Sequence, residues 1–245
     1  MITDYHRPQT LEEALTLLAR PNTLPLGGGT LLSRPTREAI EVVDLQALGL
    51  NSISPRGNEL EIGATATLQA LLESKYCHEA LKTAIKLEAP LNIRNSATIA
   101  GALVACDGRS TLASSLLAMD ARLKIAGPEP KTVNLGEFLP LRTRGLITSI
   151  TVPLNEKFAF ETVARTPADK PIVCAALAQW PSGRTRLAIG GFGSFPSLAM
   201  DGTEAEGIET AARNACHEAT DDFGSAEYRM DVASTLAVRC LQSLS

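Results

Sequence analysis

Three consecutive glycines, Gly27, Gly28 and Gly29, follow the short apolar run Thr23-Leu24-Pro25-Leu26 and precede Thr30. No other stretch narrows the possible folds as much. Glycine loses more backbone freedom on ordering than any other residue, so a triplet suits a place where the main chain turns or is touched directly. Consecutive amides that point one way form an anion-binding concavity. A strand leading into Gly-Gly-Gly-Thr therefore reads in two ways. It is a plain turn after a strand, or it is a cradle for a pyrophosphate with the amides and the Thr30 hydroxyl as donors.

The flanking pattern is that of an α/β unit. Thr10 and Glu13 form a capping box. Leu11, Ala14, Leu15 and Leu18 then recur at helical spacing, and Pro21 stops the helix near Arg20. Residues 23–26 and 40–45 read as strands. Beyond them, Glu59 and Glu61 alternate with Leu60 and Ile62 in a half-buried strand. Helical patterns cover 67–74, 79–88 and 110–120, and strand patterns 121–126 and 145–153. The chain turns polar at 153–158, which marks a boundary. Residues 171–178 and 185–193 then read as strands joined by the turn 181–184. Helices over 203–219 and 225–244 complete the chain, the last with Tyr228, Val232, Leu236 and Cys240 on one stripe.

Composition excludes several functions. With 245 residues, 44% of them apolar, the chain can bury a large core. Its net charge of −4 and scattered Lys and Arg argue against a nucleic-acid partner. No apolar run approaches the roughly 20 residues that span a bilayer, and "MITDYHRPQT" lacks the features of a signal peptide. A cytoplasmic protein with no membrane contact is expected. Five widely spaced cysteines with no C-x-x-C, and three isolated histidines, fit no disulfide framework, iron–sulfur cluster or other metal site. Cys174 and Cys240 read as small buried hydrophobes. The residue five after Gly27 is Leu32, so no G-x-G-x-x-G is present, nor is a P-loop or a G-x-S-x-G elbow. No catalytic base or nucleophile is expected.

A second stretch, residues 89–127, carries Asn92-Ile93-Arg94-Asn95 and then Thr98-Ile99-Ala100-Gly101, another small-residue loop with a hydroxyl. Arg94 and Asn95 alone suit a surface turn. Together with the glycine triplet, the two loops can meet around one ligand.

"IRNSATIAG" followed by "LLAMDARLKIAG" closely resembles the FAD-binding subunits of molybdenum hydroxylases, the xanthine dehydrogenase and carbon monoxide dehydrogenase group. The resemblance runs along nearly the whole chain. "TLPLGGGT" is similar to the family's first flavin loop, A-G-G-T-D. "IEVVDLQALGLNSI" resembles its L-V-D-L strand, "LEIGATATL" its I-G-A-x-T-T, and "FETVARTPADKPIVCAALA" its Y-x-K-x-x-R-x-x-D region. The fold it implies is α+β, a two-lobed FAD-binding module of the PCMH/CO-dehydrogenase flavoprotein type. An α/β lobe over 1–52 and an α+β lobe over 53–154 would be followed by a domain over 155–245, with a three-stranded antiparallel sheet and a helical bundle. FAD would lie between the lobes. Leu26, Gly27, Gly28, Gly29, Thr30 and Leu31 would hold the pyrophosphate and ribityl chain together with Thr98, Ile99, Ala100 and Gly101, and Asp107 and Thr111 would stand nearby. The implied function is electron transfer. A molybdopterin-binding large subunit and a 2Fe-2S small subunit would deliver electrons to the flavin, which would pass them to NAD or another acceptor.

The sequence departs from that pattern at the cofactor. The Asn after T-I-G-G becomes Ala102, and the third position of the motif is Ala100. The acid of S-P-x-x-D becomes Thr111, with Asp107 as a nearby substitute. The first loop's Asp becomes Leu31, and the Lys of Y-x-K becomes Thr162. Each lost polar contact costs about 0.5–1.5 kcal/mol. A second expectation therefore stands beside the first: a flavin-module fold that binds FAD weakly or not at all and serves as a structural or docking subunit.

Overall fold

A computed structural model describes residues 1–34 and 37–244. The chain opens with a small parallel sheet. β1 (Ile2–His6), β2 (Thr23–Leu26) and β3 (Ile40–Asp44) lie in the order β1-β3-β2, both outer strands parallel to β3. α1 (Leu11–Leu18) connects β1 to β2. Glu13 N donates to Thr10 Oγ1 at 3.2 Å and Gln9 N donates to Glu13 Oε2 at 3.0 Å, so the reciprocal cap forms one residue earlier than the usual box. The helix stops at Leu18, just short of the expected end. β1 has no counterpart in the sequence pattern, because it is largely exposed and carries no apolar alternation. Ala14, Val43 and Leu45 close a small core with Leu146 from the next layer.

A five-stranded antiparallel sheet follows. It contains β4 (Ile53–Arg56), β5 (Glu59–Gly63), β6 (Arg122–Ala126), β7 (Lys131–Asn134) and β8 (Leu146–Pro153), in the order β4-β5-β8-β6-β7. Between β5 and β6 run α2 (Leu68–Glu73), α3 (Glu79–Glu88), α4 (Leu91–Arg94), α5 (Ile99–Ala105) and α6 (Thr111–Ala118), and α7 (Leu135–Leu141) follows β7. Every residue of α6 is buried. Its two interior serines remain satisfied because Ser114 Oγ and Ser115 Oγ donate back to the carbonyls of Ser110 and Thr111, each at 2.8 Å.

The last sheet has four strands where three were expected: β9 (Lys157–Val163), β10 (Val173–Gln179), β11 (Thr185–Gly190) and β12 (Ser197–Gly202), in the order β12-β11-β10-β9. β12, Ser-Leu-Ala-Met-Asp-Gly, is a partly exposed edge strand without β-branched residues, so its sequence signal is weak. In place of a larger bundle, α8 (Ile208–Ala215) and α9 (Ala226–Leu244) pack together and on the sheet. α8 is shorter than its pattern, starting after Gly207, which adopts φ +77°.

β10 explains why residues 171–178 are apolar without alternation. Cys174, Ala176 and Ala178 face the large core shared with α3 and α6, while Val173, Ala175 and Leu177 face α8 and α9. A strand buried on both faces has no polar side. Burial pushes the Cys174 and Cys240 thiols up to about 12, as it does that of Cys77. These thiols are packing groups.

The turn between β8 and β9 holds a buried acid. Glu156 is 5% exposed, and neither carboxyl oxygen has a hydrogen-bond partner. Burial pushes its pKa up to about 7, and the nearby Glu156 and Asn155 amides, which are not in hydrogen-bond geometry with it, offset this only in part. A folded-state pKa above the unfolded value means that stability is greatest at low pH and falls as pH rises from the unfolded pKa near 4.5 through 7. Glu156→Gln removes that slope. We expect the variant to match the parent at pH 4.5 and to exceed it by about 2 kcal/mol at pH 8, read from urea unfolding at the two pH values.

Candidate cofactor site at the glycine seam

The glycine triplet leaves the C-terminal end of β2 and meets the stretch before α5. A Cβ built on Gly28 would stand 1.6 Å from the Ser96 carbonyl oxygen and 2.5 Å from its carbon. One on Gly27 would stand 2.8 Å from Thr98 Oγ1. The two small-residue stretches are therefore in contact, main chain against main chain. Two of the three glycines are required by the protein's own packing. Gly29 is different: its φ is +70°, and only Leu26 Cδ1, at 3.5 Å, approaches its Cβ position. It supplies the turn.

The two stretches offer different chemistry. Among the described residues, the amides of Gly27, Gly28, Gly29 and Thr30 donate to no protein group, and neither does the Thr30 hydroxyl. The four amides that follow Thr98 are engaged. Ile99 N donates to Ala66 O at 2.9 Å, Ala100 N to Ala64 O at 3.2 Å, Gly101 N to Thr98 Oγ1 at 3.2 Å and Ala102 N to Thr98 O at 2.9 Å. The expected second loop is the N-cap and first turn of α5. Thr98 is 6% exposed and bridges to Thr67, the cap of α2. This stretch is a wall, and the donors lie on the glycine side.

Arg94 holds that wall in place. Its Nε donates to Gln69 Oε1 at 3.0 Å and its Nη1 to Ala89 O at 2.8 Å, tying α4 to α2 and to the end of α3. On residues alone Arg94 suits a surface turn, and the structure gives it a clamp's role instead.

The remaining expected residues are dispersed. Asp107 Oδ1 accepts from Arg109 N at 3.0 Å and its Oδ2 from Lys170 Nζ at 2.9 Å. Gly108 N donates to Gly193 O and Gly191 N to Gly108 O, docking this loop on the last sheet. Leu31 is 44% exposed. Thr111 does not reach the glycine loop as an open donor: it is 1% exposed, and its single hydroxyl proton goes to Ala84 O at 2.7 Å, with Glu88 Oε2 also within reach at 3.1 Å. Thr162 Oγ1 donates to Val173 O at 3.3 Å. Glu88 carries no sequence signal of its role. It caps α6 from a distance of 22–24 residues, which no local motif announces.

Two clefts lie elsewhere on the chain, and neither is lined by residues 27–30 or 96–98. One, of about 420 Å³, lies where Leu11, Gly49 and Leu50 at the C-terminal side of the parallel sheet face Glu61, Lys124 and Thr148. The other, of about 250 Å³, is walled by Leu87, Thr162, Arg165, Asp169 and Pro171. Open α/β sheets bind ligands outside the carboxyl ends of their strands, and the first cleft and the glycine loop both lie there. Among the described residues, no group of three or more His, Cys, Asp and Glu side chains could hold a metal ion, and no helix is long and apolar enough to cross a membrane.

Comparison with known proteins agrees with this geometry. The family model "FAD binding domain in molybdopterin dehydrogenase" matches residues 1–155. The chain is 29% identical over 245 residues to the uncharacterized protein YgfM of Escherichia coli K12, covering 96% of this chain and 94% of that one. It is 25% identical to the carbon monoxide dehydrogenase medium chain of Afipia carboxidovorans, covering 98% and 95%. The solved CO dehydrogenase from Oligotropha carboxidovorans superposes with a TM-score of 0.82 over 98% of this chain and 96% of that one, at 24% identity, which shows the shared fold. The chain belongs to the FAD-binding family of molybdopterin dehydrogenases, with FAD as its cofactor.

Proposed function

We propose that this chain is the flavin-carrying electron-transfer subunit of a molybdenum hydroxylase-type oxidoreductase. The observation that carries the reading is the row of unengaged amides from Gly27 to Thr30, held open against the Ser96–Thr98 wall. Those amides and the Thr30 hydroxyl hold the diphosphate of FAD. The wall fixes the depth of the loop and excludes water from its back. The flavin, when bound, supplies the redox chemistry, and the chain supplies position and electrostatics. Electrons come from a molybdopterin-binding large subunit and a 2Fe-2S small subunit and leave to NAD or another acceptor. The curated relative named as a carbon monoxide dehydrogenase medium chain supports this division of labour.

The second reading, a module that binds FAD weakly or not at all and docks partners, has its own support. The α5 amides are all engaged and Thr111 is closed off. An FAD titration separates the two. For the first reading, saturating FAD turns the protein yellow and, at about 100 times its Kd, adds about 2.7 kcal/mol of stability. In a chain of this size that is roughly 5–10 °C in melting temperature. A colourless protein with an unchanged melting temperature supports the docking module. Bleaching of the bound flavin by NADH tests the acceptor.

A further inference from the structure

The outer face of the five-stranded sheet carries its charges in rows set by strand register. Leu60, Ile62 and Leu123 turn into the large core, so Glu59, Glu61, Arg122 and Lys124 stand on the opposite face. Glu59 pairs with Arg122, and Glu61 pairs with Arg56. The next row, across β5, β8 and β6, is Gly63, Ser149 and Lys124. It holds a cation and no acid. A Cβ on Gly63 would stand 2.2 Å from the Leu50 carbonyl oxygen, so the chain leaving the parallel sheet fills the place of a third acid. Among the described residues, Lys124 Nζ has no carboxylate or other hydrogen-bond partner.

Ser149, directly opposite Lys124, is 6% exposed, and its hydroxyl also lacks a protein partner among the described residues. Buried hydroxyls are as a rule hydrogen-bonded, so one left open beside an unpaired ammonium points to a ligand. Both residues line the 420 Å³ cleft. Its apolar walls are Leu11 of α1, Leu50, and Ile125, Ala126 and Pro130 from β6 and the turn after it. That volume falls within the range of small-molecule sites, about 300–1,000 Å³.

We propose that this cleft binds a small organic monocarboxylate, separate from the cofactor. Lys124 pairs with the carboxylate, the Ser149 hydroxyl donates to it, and the apolar walls take a short hydrocarbon body. The donor set selects the class. One ammonium and a hydroxyl suit a single carboxylate, and among the described residues no arginine lines the cleft to fork onto a phosphate. The Glu61 carboxylate, also in the wall, disfavours a second negative charge on the ligand. Such a ligand touches both α1 and β6, and so joins the parallel sheet's layer to the five-stranded sheet.

The test uses the full chain with four probes: hexanoate, benzoate, neutral hexanol and inorganic phosphate. Ligand-observed NMR gives the affinities, and a thermal melt gives the stabilisation that binding to the native state must bring. At least one of the two carboxylates is expected to bind and to raise the melting temperature, with hexanol and phosphate about tenfold weaker or more. Lys124→Met keeps most of the side chain's length and removes its charge. Its carboxylate affinity is expected to fall about tenfold or more, while its FAD affinity and its melting temperature without ligand match the parent's. Ser149→Ala is expected to lose less, about threefold to tenfold. Binding of neither carboxylate by the parent at about 10 mM overturns the proposal. So does equal affinity in parent and Lys124→Met, which marks a merely apolar cleft. Phosphate binding as tight as that of the carboxylates overturns the ligand class. A fall in FAD affinity in Lys124→Met assigns the cleft to the cofactor and overturns a separate site.

Discussion

Gly28→Ala is expected to abolish FAD binding and to destabilise the fold by about 2–4 kcal/mol. The added methyl would overlap the Ser96 carbonyl oxygen at 1.6 Å and crowd the Ala97 Cα at 3.2 Å. These are main-chain atoms that cannot rotate away. They are anchored on both sides, Ala97 N on Ile93 O at 2.7 Å and Leu68 N on Ala97 O at 2.9 Å. Relief requires the glycine loop to withdraw from its wall, which displaces the four amides of residues 27–30. Gly29→Ala is the control. It meets only Leu26 Cδ1 at 3.5 Å, and its cost is that of its φ of +70°, about 1–2 kcal/mol. Isothermal titration with FAD and urea unfolding of both variants check the difference. If Gly28→Ala binds FAD as Gly29→Ala does, the seam is not the binding site.

That contrast shows what the sequence could convey. The triplet signals that something must approach the main chain, but not what. In the folded chain the three glycines serve different ends, since Gly27 and Gly28 accommodate residues 96–98 and Gly29 turns the loop. Capping residues and alternating strands are legible because their causes are local, as at Thr10, Thr67 and β5. The start of α5 reads as a loop because Ile-Ala-Gly-Ala lacks a helical stripe of large apolar residues, and its helix is fixed by tertiary bonds to Ala64 and Ala66. β1 and β12 are edge strands with little apolar signal. Glu88 is invisible for the same reason as the α5 bonds: its partners are distant in sequence, and only packing brings them together.

Distant partners also decide the second large effect, at Arg229. The stripe expected on α9 is Tyr228, Val232, Leu236 and Cys240, but Tyr228 is exposed and Val232 only half-buried, while Arg229, outside that stripe, is fully buried. Its Nε donates to Ile172 O at 3.2 Å, its Nη1 to Ala219 O and to Gly224 O, and its Nη2 to Asp221 Oδ1 at 2.7 Å. The guanidinium also lies 5.6 Å from the centre of the Phe192 ring. One side chain thereby satisfies the carbonyl before β10 and those of the 219–224 turn, and it ties α9 to the last sheet. Burial alone would raise the Asp221 carboxyl's pKa, but the bond from Arg229 and the Phe223 and Gly224 amides hold it below its ordinary value. Arg229→Ala leaves the Ile172 and Ala219 carbonyls without their donor, takes from Gly224 O one of its two donors, the other being Asp221 N at 3.1 Å, and opens a cavity. Each orphaned buried acceptor costs about 1–3 kcal/mol, so a loss of about 4 kcal/mol or more is expected, against a typical total of about 5–15. Arg229→Met refills most of the volume and supplies no donors. If the hydrogen bonds dominate, Met recovers little of the loss, and both variants unfold about 10 °C or more below the parent in a thermal melt. If Met restores stability almost fully, the side chain acts through its bulk, and α9 is held by packing alone.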